Sequence, residues 1–379
     1  MSGVKAYPSF HWSGQAVDVP AIDAALERLR EKAADAAPAE GAALGARTSV
    51  LTLVAYALDA VAAQNAAETI ANLPRYHPSR SIVILAQPTD GEPVIDARLS
   101  AHCHIAPGLE GQVCFEVVEL TVMGRAARHL HSLVLPLLVP DLPVFSWWSG
   151  DLPDDTHLLE DILDTSDRFI VDSTRLSDAQ SALPCLESLV QHTATSVSDL
   201  SWTRVASWRR LIAQFFDSPG LQPYLGRLTA VDIEHDSGSA AQALLLAGWL
   251  AARLGWQPES KDNESYRLRS AGPPEEDILM TLHALPSPDS EPGSLLAVSL
   301  MASGAQNQAS FSIRRSAPGL VTVKTEAPEA RLERSIRLTD SGDAEMLAQE
   351  LETPGRDRAY EEALAKAAAL LGVGVTGQG

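Results

Sequence analysis

Residues 81–87, SIVILAQ, form a compact apolar run with no alternation between apolar and polar side chains. A strand of this kind is covered on both faces, as in a mostly parallel sheet with helices on either side. Around it the chain keeps a strand and helix rhythm. Residues 49–56 are β-like, 59–73 helical, 144–148 a strand, 158–163 a short helix and 167–172 (DRFIVD) another strand. That order fits a doubly wound layer. Residues 93–105 and 111–121 alternate more clearly around the turn signal Pro107-Gly108, which predicts an antiparallel extension and hence a mixed sheet. Residues 124–139 begin as a helix.

Before this layer, residues 1–20 place Tyr7, Phe10 and Trp12 among small and polar residues, the pattern of an arm tied down by aromatic anchors. Ile22, Leu26 and Leu29 recur at helical spacing within 21–37, and 38–45 is an Ala, Gly and Pro linker. A second unit starts near Asp199 with an amphipathic helix whose stripe is Trp202, Val205, Trp208, Leu211, Ile212 and Phe215. It continues with a strand at 228–235, a strongly apolar helix at 239–254, several alternating strands and two closing helices at 343–352 and 356–371. The expected fold class is α/β: an N-terminal mixed, largely parallel sheet with flanking helices, plus a C-terminal α+β domain with a mainly antiparallel sheet. The expected division is an arm and helix at 1–46, an α/β domain at 47–198 and an α+β domain at 199–373.

Composition narrows the partners. Apolar residues make up 45% and charged residues 21%, which suffices for a sizeable core. The formal charge is -20, with 49 acidic and 29 basic residues and no long basic run, so nucleic acid and anionic membrane are poor partners. The longest apolar stretches are too short for a bilayer or are broken by proline, and the beginning lacks a secretory pattern, so a cytoplasmic location is expected. Cys103, Cys114 and Cys185 match no zinc or CxxC spacing. Cys103 and Cys114 can be strand neighbours and a redox pair, against the ordinary reading of buried thiols.

Catalytic signatures are missing. There is no G-x-S-x-G elbow, no G-x-G-x-x-G and no G-x-x-x-x-G-K-[ST], so neither nucleophilic catalysis nor nucleotide binding by a common loop has support. No cofactor is expected. His102 with His104, and His129 with His131, are His-x-His pairs, but a two-residue step on a helix turns the second pair about 200° apart. Metal binding is therefore not expected. In 77–80, His77, Ser79 and Arg80 flank a proline before the covered strand, where an Arg and a hydroxyl can clamp a phosphate or carboxylate; a structural ion pair or loop tie is the plainer reading.

The most informative stretch is 135–153, with four prolines and two adjacent tryptophans. Alternation puts Trp147 and Trp148 on opposite faces of one strand. One indole at an accessible strand end is an interface anchor, while burial of both is the competing reading. Trp202, Arg204, Trp208 and Arg209 are likewise residue types enriched at interface hot spots.

These segments coincide with a known family. RTSVLTLV (47–54), HPSR (77–80), PLLVPDLPVFSWWSGDLP (136–153), DRFIVDS (167–173), DLSWTRVASWRRLIAQFFD (199–217) and GWLAARLGW (248–256) make the chain resemble OpcA, the glucose-6-phosphate dehydrogenase assembly proteins of cyanobacteria and actinobacteria. The resemblance spans nearly the whole chain. It implies a non-catalytic partner that promotes the active oligomer of glucose-6-phosphate dehydrogenase and raises its response to substrate. In cyanobacterial members redox control through cysteines accompanies this role. The expected partner-binding residues are Trp147, Trp148, Asp151, Trp202, Arg204, Trp208 and Arg209. The alternative is a sugar-phosphate binding or modifying protein in which His77, Ser79, Arg80 and Arg209 line a pocket.

Overall fold

The apolar run lies in strand β3 of an eight-stranded sheet whose order is β1-β4-β5-β3-β2-β6-β7-β8. The strands are β1 (Ser9–Gly14), β2 (Thr52–Ala57), β3 (Arg80–Pro88), β4 (Val94–Ile105), β5 (Gln112–Gly124), β6 (Val144–Trp148), β7 (Arg168–Val171) and β8 (Ser196–Asp199). The computed structural model describes residues 9–35, 50–73, 80–105, 112–153, 156–270, 277–286, 294–303, 308–338, 341–353 and 355–373. Side chains of 102–105 and 112–114 are outside that description, as are those of residue 9 and residues 33–35.

Strands β5, β3, β2, β6 and β7 run parallel, and β4 and β1 extend the sheet antiparallel. The mixed sheet follows the expectation from the sequence. Every residue of β2 and of β6 is buried, as a sheet covered on both faces requires. Residues 9–14 are more than an arm: they form β1, in register with β4 through Trp12 opposite Leu99. The register also sets Cys103 opposite Cys114.

The second sheet has the order β10-β11-β12-β9-β13-β14-β15-β16. Its strands are β9 (Leu228–Asp236), β10 (Trp256–Asp262), β11 (Ser265–Ser270), β12 (Asp277–Leu285), β13 (Leu295–Ser303), β14 (Gln308–Ala317), β15 (Leu320–Ala327) and β16 (Ala330–Arg337). All neighbours are antiparallel except β9 with β12. Helix Ala240–Leu254 follows β9 and is buried almost throughout, as its apolar composition requires. The helix expected from Asp199 is two helices, Leu200–Arg204 and Ala206–Gln214, which meet at Val205.

The chain divides into two units. One comprises Met1–Arg175, Ala194–Ser198 and Asp343–Gly355; the other comprises Leu176–Thr193, Asp199–Gly342 and Arg356–Gly379. This differs from a single cut near residue 199 by two exchanged segments. Arg168 explains one of them: its guanidinium donates to the carbonyls of Thr353, at 2.7 Å, and of Gly355, and faces Glu350. Arg175, beside Asp172, also pairs with Asp343. In the other unit, Arg356 donates to the carbonyls of Val190 (2.8 Å) and Thr193 (3.2 Å), which ties the end of helix Ala179–His192 to the start of helix Arg358–Gly372.

Gly248 sets the spacing of helices Ala240–Leu254 and Arg358–Gly372. A Cβ there would stand 2.2 Å from the Ala363 carbonyl oxygen and 2.8 Å from the Ala367 nitrogen, so the backbones must separate to admit it. Gly248→Ala is expected to destabilise the protein by about 1–3 kcal/mol through overpacking, read as a lower midpoint in thermal or urea unfolding. An unchanged midpoint would mean that these helices are not in close contact.

Candidate functional site

With β1 and β4 set aside, the first sheet has the order 3-2-1-4-5-6 of dinucleotide-binding folds, and its order reverses between β2 and β6. Ligands of such sheets bind beyond the carboxyl ends of the strands at this switch point. Here the two ends carry Tyr56 and Trp148, which stand in register. Their rings stack 6.1 Å apart at an interplanar angle of 15°, an arrangement worth about 0.5–1.5 kcal/mol beyond the area it buries. Burial holds the Tyr56 phenol well above its usual pKa, opposed by a hydrogen bond with Ser146. Behind it, Ser146 meets Ser166 at 2.5 Å, and the Ser166 hydroxyl donates to the Ile162 carbonyl.

The turn after β6 then folds back over the turn after β2. The Ser149 amide donates to the Tyr56 carbonyl at 2.8 Å, and its hydroxyl donates to the Ala62 carbonyl at 3.2 Å. Gly150 adopts φ +103, a left-handed conformation suited to glycine. A Cβ on it would lie 3.4 Å from the Ala62 methyl and 3.6 Å from the Asp59 carboxylate, so the turn rests on the start of helix Ala60–Asn72. The Trp148 indole N–H donates to the Asp151 carbonyl at 2.6 Å and fixes the far side of this turn.

These residues do not fit a dinucleotide. A pyrophosphate needs free amides at the helix start and glycines that let it approach. Asp59 instead caps the helix by accepting from the Ala62 amide at 2.9 Å, which places a carboxylate where a phosphate would sit. The segment 57–62 is ALDAVA, without glycine, and the Ser149-Gly150 turn lies over it.

Beside the same helix a groove of about 600 Å³ opens over β3, β4 and β5. Ala63, Gln64 and Ala67 form one wall and Val83 and Leu85 line the floor. Its charged groups are engaged locally instead of converging on a ligand: Arg98 pairs with Glu119 at 3.9 Å, and Asp96 accepts from the Ala16 amide at 2.9 Å.

The aromatic and arginine residues expected at an interface are largely internal. Trp147 and Trp148 are each 1% exposed, because a sheet covered on both faces buries even its last strand residue. Trp202 and Trp208 are buried as well. Trp202 lies between two partners: the Arg209 guanidinium carbon is 3.3 Å above its ring, and the Tyr360 ring is 5.9 Å away. Its indole N–H donates to Asp357 at 2.8 Å, and the other oxygen of Asp357 caps helix Arg358–Gly372 through the Ala359 and Tyr360 amides. Asp151 is exposed, and Arg204 and Arg209 are half-buried.

Arg80 is buried beside β5. Its guanidinium donates to Glu116 at 2.8 Å and to the Leu137 carbonyl at 2.8 Å, and Arg30 binds the same carboxylate. His77 and Ser79 lie outside the described residues. Of the His-x-His residues, His129 precedes helix Leu130–Val134 and His131 lies within it. Among the described residues, no group of three or more His, Cys, Asp or Glu side chains is placed to hold a metal ion, and no helix is long and apolar enough to cross a membrane. Tyr56, Asp59, Ser149 and Asp357 escaped the sequence reading. Asp59 and Asp357, each ahead of an Ala-rich helix, were the legible signals, as N-caps.

Two outcomes follow from this geometry. Titrating the isolated chain with NADP or NADPH is expected to leave its unfolding midpoint unchanged, and a saturable rise would show that the switch point opens to a dinucleotide. Asp357→Ala removes a helix cap and orphans a buried indole N–H, so it is expected to cost about 2–4 kcal/mol in chemical unfolding, against about 1 kcal/mol for an ordinary cap.

Among solved structures, the chain is similar to the 3-ketoreductase KijD10 of Actinomadura kijaniata in complex with NADP, at 10% identity and TM-score 0.45, over 85% of this chain and 95% of that one. It is also similar to the transcriptional regulator Gal80p of a Kluyveromyces yeast, at 10% identity and TM-score 0.47, over 87% and 93% of the two chains. At these scores the strand order, and not the likeness, carries the description of the fold. Curated relatives named OpcA and described as OxPP cycle proteins include one from Synechocystis, 28% identical over 76% of this chain, and one from Nostoc punctiforme, 30% identical over 75%. In both cases the match spans 63% of the relative's own length. Two family models match in succession: the glucose-6-phosphate dehydrogenase subunit N-terminal domain over residues 70–188 and the corresponding C-terminal domain over 195–364. With both domains present in order across most of its length, the chain belongs to the OpcA family.

Proposed function

We propose that this chain is a non-catalytic protein that binds glucose-6-phosphate dehydrogenase and promotes its active oligomer. The observation that carries this reading is the consecutive match of both subunit domains over residues 70–188 and 195–364. The switch point supports it. Where a dehydrogenase of this strand order would hold its nucleotide, Asp59 caps the helix and the Ser149-Gly150 turn covers it, so the sheet serves as a scaffold. A protein without a reaction of its own acts on an enzyme by binding one of its states better than the other.

Burial suggests a division among the expected contact residues. In this reading the buried Trp148 holds the turn that carries Asp151, and the buried Trp202 holds Arg209 over its ring, while Trp147 and Trp208 fill the core. Asp151, on the turn that Trp148 fixes, and Arg204 and Arg209, beside Trp202, are the groups that reach a partner.

Purified glucose-6-phosphate dehydrogenase from the same organism, assayed for NADPH formation with and without the chain, is expected to reach half-saturation at lower glucose 6-phosphate when the chain is present. Size exclusion of the mixture is expected to show co-elution in a larger species. Separate elution with unchanged kinetics would contradict the proposal, and co-elution with unchanged kinetics would reduce it to a scaffold.

A further inference from the structure

The second sheet ends in two unlike edge strands, β10 and β16. An edge strand presents unpaired N–H and C=O groups on which another strand can build, and folded chains blunt such edges with proline or a bulge. β10 is blunted in both ways: Pro258 lies within it, and its register slips between Pro258 and Ser260. β16 has neither. Its eight residues, ARLERSIR, pair one for one with β15 from Ala330 to Arg337 without a slip. In an antiparallel ladder alternate residues bond to one neighbour, so every second residue of β16 directs both of its backbone groups away from β15. All eight residues are exposed or half-buried.

The side chains define the strand that would fit. The register sets Leu332, Arg334 and Ile336 beside Thr325, Val323 and Val321, the buried row of β15, and so on the core-facing side of the sheet. Leu332 is nevertheless 54% exposed, because the sheet stops there. A further strand continues this row if it brings apolar residues opposite Leu332 and Ile336. Charge fixes two more positions. Arg331 stands opposite Glu326 and Glu333 opposite Lys324, so these charges are met within the sheet. Arg334 stands opposite Val323 and Arg337 opposite Leu320, and both arginines are exposed. The Arg334 guanidinium donates to the uncharged Gln214 side chain at 3.3 Å. The chain carries -20 overall, yet β16 holds three arginines and one glutamate, a net of +2. Charges more than about 8 Å away are largely screened at physiological ionic strength, so the strand's own charge governs what pairs with it. A second β16 carries the same sign and is disfavoured, whereas acidic residues opposite Arg334 and Arg337 are favoured. We propose that β16 is a strand-addition site for an extended acidic segment of another protein. The segment enters antiparallel, the stronger pairing, with the order acidic, apolar, any, acidic, any, apolar opposite residues 337 down to 332.

This site goes beyond the dehydrogenase reading, and its test uses the isolated chain, so either idea can fail while the other stands. The probe is a fluorescein-labelled peptide, Thr-Glu-Val-Thr-Glu-Thr-Val-Thr, followed by fluorescence anisotropy. Saturable binding is expected, weakened about tenfold when lysine replaces both glutamates, and by a similar factor when Arg334→Glu and Arg337→Glu are combined in the chain. The doubly substituted chain is expected to prefer the lysine peptide, a reversal that no folding defect produces. Of the two alternate sets of peptide amides, N-methylation of one is expected to abolish binding and of the other to leave it, as main-chain pairing requires. Bound peptide is also expected to slow hydrogen exchange at alternate amides of 330–337. No saturable binding of the glutamate peptide overturns the proposal, as does equal affinity for the lysine peptide, or exchange unchanged along β16. A chain that elutes as a pair and separates on Arg334→Glu substitution also overturns it, by giving the edge to a second copy.

Discussion

The stack of Tyr56 on Trp148 closes the carboxyl end of the two strands from which the first sheet is wound. It requires both strands to be covered, since a stacked pair left in water would forfeit most of its burial energy. The two residues stand in register on β2 and β6, and just beyond them the Ser149 amide donates to the Tyr56 carbonyl. From that bond the turn is led across the helix start, where Asp59 already satisfies the amide that a phosphate would use. A strand order suited to a dinucleotide thus ends in a closed, rigid edge.

The same logic of internal bonding recurs in the second unit. Trp202, sandwiched by Arg209 and Tyr360 and tethered to Asp357, joins a short helix to the long one that follows Asp357. Aromatic and arginine residues concentrate here because they fill volume and because the Arg209 guanidinium both lies over the Trp202 ring and donates to the Trp202 carbonyl. Their abundance in the sequence is therefore weak guidance to an interface. The covered strand pair and the Trp202 cluster each tie distant segments of one unit together through aromatic packing and buried hydrogen bonds.

Much of the fold was legible because period and burial leave a direct trace. SIVILAQ lacks alternation, and it is a strand covered on both faces; 93–105 and 111–121 alternate and pair antiparallel as β4 and β5, but β5 also joins the parallel strands beside β3, so the antiparallel extension is β4 with β1. The two sheets, one mostly parallel and one mostly antiparallel, follow from those patterns. Less legible were effects that depend on distant partners. Nothing local to Arg168 says that it gathers Thr353 and Gly355, and so nothing in the sequence moves 343–355 into the first unit. Alternation also placed Trp147 and Trp148 on opposite faces correctly, yet exposure depends on whether the strand end is covered, which alternation does not report. The filled switch point was hidden for the same reason: absence of a glycine fingerprint is visible in 57–62, whereas the turn that lies over it comes from residues 149–150.

If the chain works by preferring the active state of glucose-6-phosphate dehydrogenase, linkage makes that preference reciprocal: whatever the chain does to substrate affinity, substrate does to the affinity for the chain. The most direct measurement is the dissociation constant of the chain for the dehydrogenase, by calorimetry, with and without saturating glucose 6-phosphate and no oxidant present. The account predicts tighter association with the sugar phosphate, by the same factor as the chain lowers the dissociation constant of the sugar phosphate. Equal affinity under both conditions, or no association at all, would contradict it.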